Sequence, residues 1–216
     1  MRLIDLTVPI HTGMPVYPGD PEVLLEPALR VATDGVNVLR VHLGSQTGTH
    51  VDAPAHLGDD LPTLDELPLH RFTGPALVVD ARSAGPHGAL GPEYFDRPVH
   101  PGAVVLIATG WSAHWGTDAY HLHPSLTPAA AEALVAAGIR TIGIDAPSID
   151  APDAHSLPAH RILCGAHAVI AENLTGLDQL LDAQLAGEPI EVTLFPLPLT
   201  GADGAPVRAV ARVGNP

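Results

Sequence analysis

The stretch "SQTGTHVDAPAHL", residues 45–57, places two histidines and one aspartate within seven positions: His50, Asp52 and His56. His50 and Asp52 are two residues apart, so on an extended backbone both side chains project to the same side. Pro54 favours such extension because it disfavours the helical region for the residue before it. An imidazole and a carboxylate side by side predict a shared divalent cation, and zinc or manganese suits these mixed nitrogen and oxygen donors.

The same residues leave a second interpretation open. Gly48 lets the backbone turn sharply or approach a ligand closely, and His56 follows the proline turn closely enough to return to the same pocket. An aspartate and a histidine in a turn can instead cap backbone amides. By themselves, the residues indicate either a metal site or a capped turn.

The composition predicts one compact domain, residues 1–216, because 46% hydrophobic residues in a chain of this length suffice for a sizeable core. A formal charge of −14 argues against nucleic acid as a partner. All ten basic residues are arginine, so a lysine Schiff base is excluded. The sequence has neither a long apolar run nor a signal peptide, and we therefore expect a cytoplasmic protein with no membrane partner.

Two kinds of residue that often carry chemistry are predicted to be structural here. Cys164 is the only cysteine and lies among apolar residues, which is typical of a small buried hydrophobe. Five histidines lie in loop-like contexts, where we expect them to be exposed and without function: His87, His100, His114, His121 and His123.

Frequent prolines and glycines predict many short elements in a mixed α/β domain. "EVLLEPALRV" and "VNVLRVHLG" are typical of two strands joined at Gly35, while "PALVVDA" and "AVVLIATG" predict central strands buried on both faces. Further strands are expected in "RLIDLTVPI", "IRTIGIDAP", "AVIAE", "EVTLFPLPL" and "PVRAVARV". One helix is predicted over residues 128–137, after the N-cap Thr127, with others starting at His160 and within "TGLDQLLDAQLA".

The segment from Gln46 to His56 resembles the HxGTHxDxPxH signature of the cyclase-like metal hydrolases, a family that includes bacterial kynurenine formamidase and isatin hydrolase. Further similarities occur in "PVYPGDP", "TGWSAHWG", "GIDAPSID", "HRILCGAHAVIAENL" and "PLTGADGAPVRAVA", in the same order along nearly the whole chain. The resemblance implies a single compact domain of the swivelling β/α/β type.

The resemblance also implies roles for individual residues. His50 and Asp52 match metal ligands, and His56 matches the residue that donates and accepts protons. His160 and Glu172 match the distal ligands of a two-metal site. Glu172 ends an apolar strand, where a carboxylate is costly unless it is paired or metal-bound.

Two positions depart from the family pattern. Gln46 replaces the first histidine of the signature, so its amide oxygen would be a weaker ligand than imidazole and the site would hold one ion or two, with manganese or magnesium favoured over zinc. Tyr17 stands where kynurenine formamidase has a tryptophan against its aromatic substrate. This change bears on substrate preference.

The implied function is hydrolysis of a small-molecule amide, N-formylkynurenine or a related aryl amide in tryptophan catabolism, with His56 moving a proton. Hydrolysis of another cyclic amide or a lactone, or a biosynthetic ring closure, remains an alternative, as does a non-catalytic binding protein. A serine hydrolase is disfavoured because the sequence contains no GxSxG. The resemblance alone predicts a homo-oligomer, a dimer or a tetramer.

Overall fold

The computed structural model describes residues 1–215, so only the last residue of the predicted domain 1–216 lies outside it. The strands are β1 (Arg2–Asp5), β2 (Leu24–Leu29), β3 (Val38–His42), β4 (His50–Asp52), β5 (Thr73–Asp80), β6 (Ala89–Leu90), β7 (Val104–Ala108), β8 (Ser125–Leu126), β9 (Thr141–Ile144), β10 (Val169–Glu172), β11 (Ile190–Thr193), β12 (Gly204–Pro206) and β13 (Val210–Val213). The α-helices are α1 (Val31–Asp34), α2 (Pro128–Ala136), α3 (Pro158–Gly165) and α4 (Leu177–Leu185).

One sheet of nine strands organises the protein, in the order β1-β13-β11-β5-β7-β9-β10-β4-β12. The four central strands β5, β7, β9 and β10 are parallel, and antiparallel strands extend the sheet on both sides. The apolar runs "PALVVDA" and "AVVLIATG" form β5 and β7, so their predicted central position is confirmed. The mixed α/β fold with many short strands and few helices is also confirmed.

The two faces of the sheet are covered by different helices. Alternate side chains of β7 enter different apolar clusters: Leu106 packs in the cluster that includes Leu180 of α4, and Ile107 packs with Leu134 of α2 and Leu163 of α3. Each fully buried leucine or isoleucine contributes about 1.5–3 kcal/mol relative to exposure. This two-sided burial explains why β7 is apolar at every position.

The sheet curls so that its two ends approach each other. β12 is the strand at one end, and β13 lies next to β1 at the other end, yet only residues 207–209 separate them along the chain. Such a link spans at most about 14 Å at 3.3–3.6 Å per residue. The expected single strand over "PVRAVARV" is therefore wrong, because Pro206 pairs with β4 as the last residue of β12, whereas Val210–Val213 pairs with β1 and β11.

The predicted helices are present, with one boundary shifted. Thr127 caps α2 by accepting the backbone N–H of Ala130, and Gly138 follows with a positive φ of 84°. The third helix begins at Pro158 rather than at His160, since proline is favoured in the first helical turn. His160 consequently lies within the helix, where it is 3% exposed.

The predicted hairpin of β2 and β3 is antiparallel, and the short helix α1 and Gly35 form its connection. Most of its apolar side chains are exposed, including Leu39 and Val41 at 55% and 54%. Of the "EVTLFPLPL" segment, residues 191–199, only the first three residues form a strand, as part of β11 (Ile190–Thr193). No helix in residues 1–215 is both long enough and apolar enough to cross a membrane.

Candidate metal centre and adjoining cavity

Strand β4 presents His50 and Asp52 from the same face, as their spacing predicts. β4 lies between β10 and β12, and the antiparallel register with β10 places Glu172 directly opposite His50. Paired residues in antiparallel strands lie on one face of a sheet with their Cβ atoms about 4.5–5.5 Å apart. The register therefore brings Glu172 next to His50 and Asp52, from which it is far apart in sequence.

His160 of α3 completes this group of buried side chains. The His50 Nε2 atom lies 3.5 Å from Asp52 Oδ1 and 3.7 Å from Glu172 Oε2. The His160 Nε2 atom lies 3.6 Å from Asp52 Oδ2 and 3.3 Å from Glu172 Oε1. Each of the four residues is at most 5% exposed. Two imidazoles and two carboxylates thus converge on one point.

Hydrogen bonds orient both imidazoles toward that point. The Nδ1 atom of His50 lies 2.8 Å from the carbonyl oxygen of Gly48, which can only accept a proton, so Nδ1 donates. The Nδ1 atom of His160 donates to Asp150 Oδ2 across 2.7 Å. The Nε2 atom of each ring is then available to the centre, an arrangement typical of histidine metal ligands.

Asp52 carries the main indication that a cation belongs here. It is 1% exposed, and neither carboxylate oxygen has a hydrogen-bond partner among the described residues. Burial raises the pKa of Asp52, but His50 and His160 lower it well below its usual range, so the group is ionised. A buried carboxylate without hydrogen bonds costs several kcal/mol unless a cation compensates it. A divalent ion held by histidine and carboxylate donors would supply that compensation.

In the metal-free centre, protons on the histidines balance the carboxylates. Burial lowers the pKa of His50, but the carboxylates of Asp52 and Glu172 raise it to about 9. Burial also opposes the charged form of His160, but its hydrogen bond to Asp150 and the nearby carboxylates of Asp52 and Glu172 raise its pKa well above the ordinary value. A divalent cation would therefore displace protons when it binds.

His56 lies beside the centre rather than within it. It belongs to a 3-10 turn over Pro54–Leu57, directly after β4, and its Nδ1 atom is 3.1 Å from Asp203 Oδ2. The Nε2 atom of Gln46 donates to the same oxygen across 2.9 Å and is 3.2 Å from the His56 Nδ1 atom. The amide nitrogen of Gln46 thus faces the His56–Asp203 pair.

A cavity of about 320 Å³ opens onto these groups. Of the residues that the sequence singles out, all except Asp52 line it: Tyr17, Gln46, His50, His56, His160 and Glu172. Tyr17 is 57% exposed at this site. The other walls of the cavity include the aromatic side chains of Trp115 and Tyr120. The cavity thus combines polar groups at the centre with an apolar, partly aromatic wall, as small-molecule sites do.

Two acidic residues at the site, Asp150 and Asp203, were not predicted. Asp150 holds the start of α3 through the backbone N–H groups of Ala159 and His160, and Asp203 contacts His56. Both lie in segments that resemble the family, "GIDAPSID" and "PLTGADGAPVRAVA", but an isolated acidic residue carries no signal of its partner.

The expectation for the loop histidines is wrong for His123, which is 2% exposed and whose Nδ1 atom contacts the backbone oxygen of Pro124. His87 and His100 are exposed as expected, and His114 is half-buried. His121 is exposed, but it also lines the cavity. Cys164 is fully buried in α3, as expected.

The chain is similar to known proteins over most of its length. The Cyclase family model, described as "Putative cyclase", matches residues 4–151. The kynurenine formamidase of Salinibacter ruber is 34% identical over 215 residues, which cover 98% of each chain. The structure of isatin hydrolase A from Labrenzia aggregata has a TM-score of 0.87 at 29% identity and covers 99% of this chain and 94% of that one. A potential metal-dependent hydrolase with cyclase activity has a TM-score of 0.81 at 27% identity, covering 100% and 99% of the two chains.

Proposed function

We propose, because this chain belongs to the Cyclase family, that it is a metal-dependent hydrolase of an aryl amide bond, with N-formylkynurenine as the first candidate substrate. The observation that carries the proposal is the buried Asp52, whose unpartnered oxygens lie between the Nε2 atoms of two histidines beside a cavity of about 320 Å³. This arrangement supports a bound cation within reach of a small molecule.

The residues that would hold the ion are His50, Asp52, His160 and Glu172, and the Oε1 atom of Gln46 would be a further ligand. Asp52 has one oxygen toward each histidine, so it suits a bridging role if two ions bind. We propose zinc or manganese, because both accept nitrogen and oxygen donors. The chemistry that a bound divalent cation supplies is activation of water and polarisation of a carbonyl.

The remaining chemistry belongs to the side chains of this chain. His56 lines the cavity and would take a proton from the attacking water and deliver it to the leaving nitrogen. Tyr17 lines the same cavity and would contact the aryl ring of the substrate. The buried carboxylates of Asp52 and Glu172 would keep the ligand set anionic.

Turnover of N-formylkynurenine by purified protein supplied with zinc or manganese tests this proposal. We expect formate release that stops when a chelator is added and returns when the metal is restored, whereas the Asp52→Ala variant should be inactive throughout. Turnover that survives both the chelator and Asp52→Ala would refute a metal-dependent reaction.

A second candidate function is hydrolysis of a cyclic amide or a lactone. It is favoured by the similarity to isatin hydrolase A over 99% of this chain and by the apolar cavity wall at Trp115 and Tyr120. Assays with isatin and simple lactones alongside N-formylkynurenine would separate the candidates by relative kcat/KM. A protein that binds metal but turns over none of these compounds would instead be a small-molecule-binding homologue or a biosynthetic cyclase.

The biological setting is also proposed. We infer one domain over residues 1–216, acting in the cytoplasm in tryptophan catabolism as a homo-oligomer, a dimer or a tetramer. The exposed apolar side chains of the β2–β3 hairpin support an assembled state, because contiguous apolar surface of this kind marks interaction sites. Sedimentation velocity at micromolar concentration would give the oligomeric state, and a single monomeric species would contradict the proposed homo-oligomer.

A further inference from the structure

We propose that Asp203 is a positioning residue that holds His56 and Gln46 in place with one carboxylate oxygen. Its Oδ2 atom lies 3.1 Å from His56 Nδ1 and 2.9 Å from Gln46 Nε2. A carboxylate oxygen can only accept, so an unprotonated Nδ1 would set two lone pairs against each other, and the Nδ1 atom of neutral His56 carries the proton while its Nε2 atom keeps the free electron pair. The 3.2 Å approach of Gln46 Nε2 to His56 Nδ1 is then a contact between two donors that share Asp203 Oδ2. That atom is then the proton acceptor available in the cavity.

The backbone places Asp203 where it can reach both partners. The carbonyl oxygen of Asp203 accepts the N–H of Ala53 across 2.7 Å, and the next residue, Gly204, pairs with Asp52 in the β4–β12 register. His56 follows β4 by a 3-10 turn whose first residue is Pro54. Asp203 and His56 are thus attached to neighbouring strands, which fix the distance between them although they are 147 positions apart in sequence.

Gly204 allows the amide of Gln46 to lie against this strand. A Cβ atom at position 204 would be 2.6 Å from Gln46 Nε2 and 2.8 Å from the carbonyl oxygen of Val51, closer than atoms can pack. The dipeptide Asp203–Gly204 therefore provides both an acceptor for Gln46 and the space that the amide occupies. Because Asp203 binds the nitrogen, the Oε1 atom of Gln46 remains free of hydrogen bonds among the described residues.

The charge of the carboxylate supports this role. Burial raises the pKa of Asp203, but hydrogen bonds from Gln46 and His56 outweigh burial and hold that pKa below its usual range. An ionised Asp203 can only accept hydrogen bonds, as both of its contacts require. The pairing resembles the way in which an aspartate fixes a histidine tautomer in serine hydrolases.

The kinetic test compares Asp203→Asn, His56→Ala and the double variant, all loaded with metal, with the wild-type protein. An asparagine can turn its NH2 group to His56 Nδ1 and so favour the opposite tautomer. We expect Asp203→Asn to lower kcat about tenfold or more, up to the 10²- to 10⁴-fold that general acid–base catalysis contributes, with little change in KM or metal content. The double variant should be no slower than His56→Ala alone, because the two residues act as one unit. The proposal would be overturned if the double variant were slower than His56→Ala by the same factor by which Asp203→Asn slows the wild-type protein.

Asp80→Asn is the matched control. The Asp80 side chain is 49% exposed and pairs with Arg82, while that of Asp203 is 42% exposed. We expect the control to leave kcat unchanged. An equal loss in both variants would assign the effect to surface charge and contradict a positioning role.

The kinetic test rests on the proposed hydrolase function, so a second measurement avoids turnover. Nitrogen-15 NMR of the imidazoles, with His56 assigned by its absence in His56→Ala, reports the protonated nitrogen directly at a pH where the ring is neutral. We expect the Nδ1–H tautomer in the wild-type protein and a shift toward Nε2–H in Asp203→Asn. A wild-type His56 with its proton on Nε2 would overturn the inference even if hydrolysis is confirmed, and the expected tautomer would support it even if no substrate is turned over.

Discussion

At the residue scale, Asp52 distinguishes a metal site from a capped turn. Both interpretations are compatible with the spacing in "THVDAPAH", but a capping carboxylate accepts backbone N–H groups. Neither oxygen of Asp52 does so, whereas Asp150 accepts two such bonds at the start of α3. The two aspartates therefore differ: Asp150 binds a helix terminus, whereas Asp52 has the free oxygens that the proposed cation requires.

His56→Ala should lower kcat by about 10²- to 10⁴-fold, the usual contribution of a positioned acid–base group, while metal content stays unchanged. The reason is that His56 contacts Asp203 rather than the four converging side chains. Steady-state kinetics and metal analysis of the same preparation check this prediction. His100→Ala, at an exposed histidine, is the control. Loss of metal from His56→Ala would identify His56 as a ligand.

Gln46→His should tighten zinc binding, because imidazole is a stronger ligand for zinc than an amide oxygen. The change also removes one hydrogen bond from Asp203, so we expect tighter binding without a matching gain in kcat. Competition with a zinc indicator and amide hydrolysis rates measure the two effects separately. Unchanged zinc affinity would show that position 46 does not reach the ion.

At the element scale, the centre depends on how three elements meet. β4 supplies His50 and Asp52, β10 supplies Glu172, and α3 supplies His160. Leu157, before α3, adopts a left-handed conformation with φ of 45° and offers no side-chain cap. Asp150 compensates by accepting the first N–H groups of the helix and the Nδ1 proton of His160. One side chain thus fixes both the helix and its ligand.

Asp150→Asn should weaken metal binding about 10- to 100-fold, as is typical when the hydrogen-bond partner of a ligand histidine is changed. An asparagine can accept only at its oxygen, so at least one of these three hydrogen bonds is lost. We also expect a loss of about 1–3 kcal/mol in the free energy of unfolding. Chelator competition and urea unfolding measure the two effects. Asp153→Asn, exposed in the same loop, serves as the control, and equal metal affinity in both variants would contradict the role of Asp150.

Local sequence signals predict some of these elements and not others. Thr127 and Pro128 predict the start of α2, and the continuous apolar sequence of β7 predicts a strand buried on both faces. Both predictions succeed because each signal lies within a few residues of sequence. The family resemblance locates His160 and Glu172, but the pairing of His56 with Asp203 depends on the β4–β12 register. Likewise, nothing local to His123 indicates that packing buries it.

At the scale of the whole molecule, the curl of the sheet assembles the site. β12 pairs with β4 at one end of the sheet, and residues 207–209 connect it directly to β13 near the opposite end. The short connection requires the two ends of the sheet to lie close together. This closure places Asp203 next to the turn that carries His56. Two residues far apart in sequence, His56 and Asp203, therefore meet beside the cavity that His56 lines.

Metal binding at pH 7 should release at least one proton per chain. The pKa of His50 is about 9 in the metal-free protein, above its unfolded value near 6.5, so the ring is charged at pH 7 and must become neutral to bind a metal. The stability that this charge contributes is fully present below about pH 6.5 and is lost as pH rises through about 9. Metal affinity should accordingly increase over that range. Titration calorimetry in two buffers of different ionisation enthalpy counts the protons, and a count of zero would contradict the assigned charge.

Metal analysis of purified wild-type protein and Asp52→Ala, expressed side by side in medium supplemented with zinc and manganese, tests the central claim most directly. The account predicts at least one divalent ion per wild-type chain and essentially none in Asp52→Ala. Glu172 also faces both histidines, but its Oε1 atom accepts the Ile149 N–H, whereas both oxygens of Asp52 lack hydrogen bonds among the described residues. Wild-type protein without stoichiometric metal, or an Asp52→Ala variant that retains it, would contradict the claim.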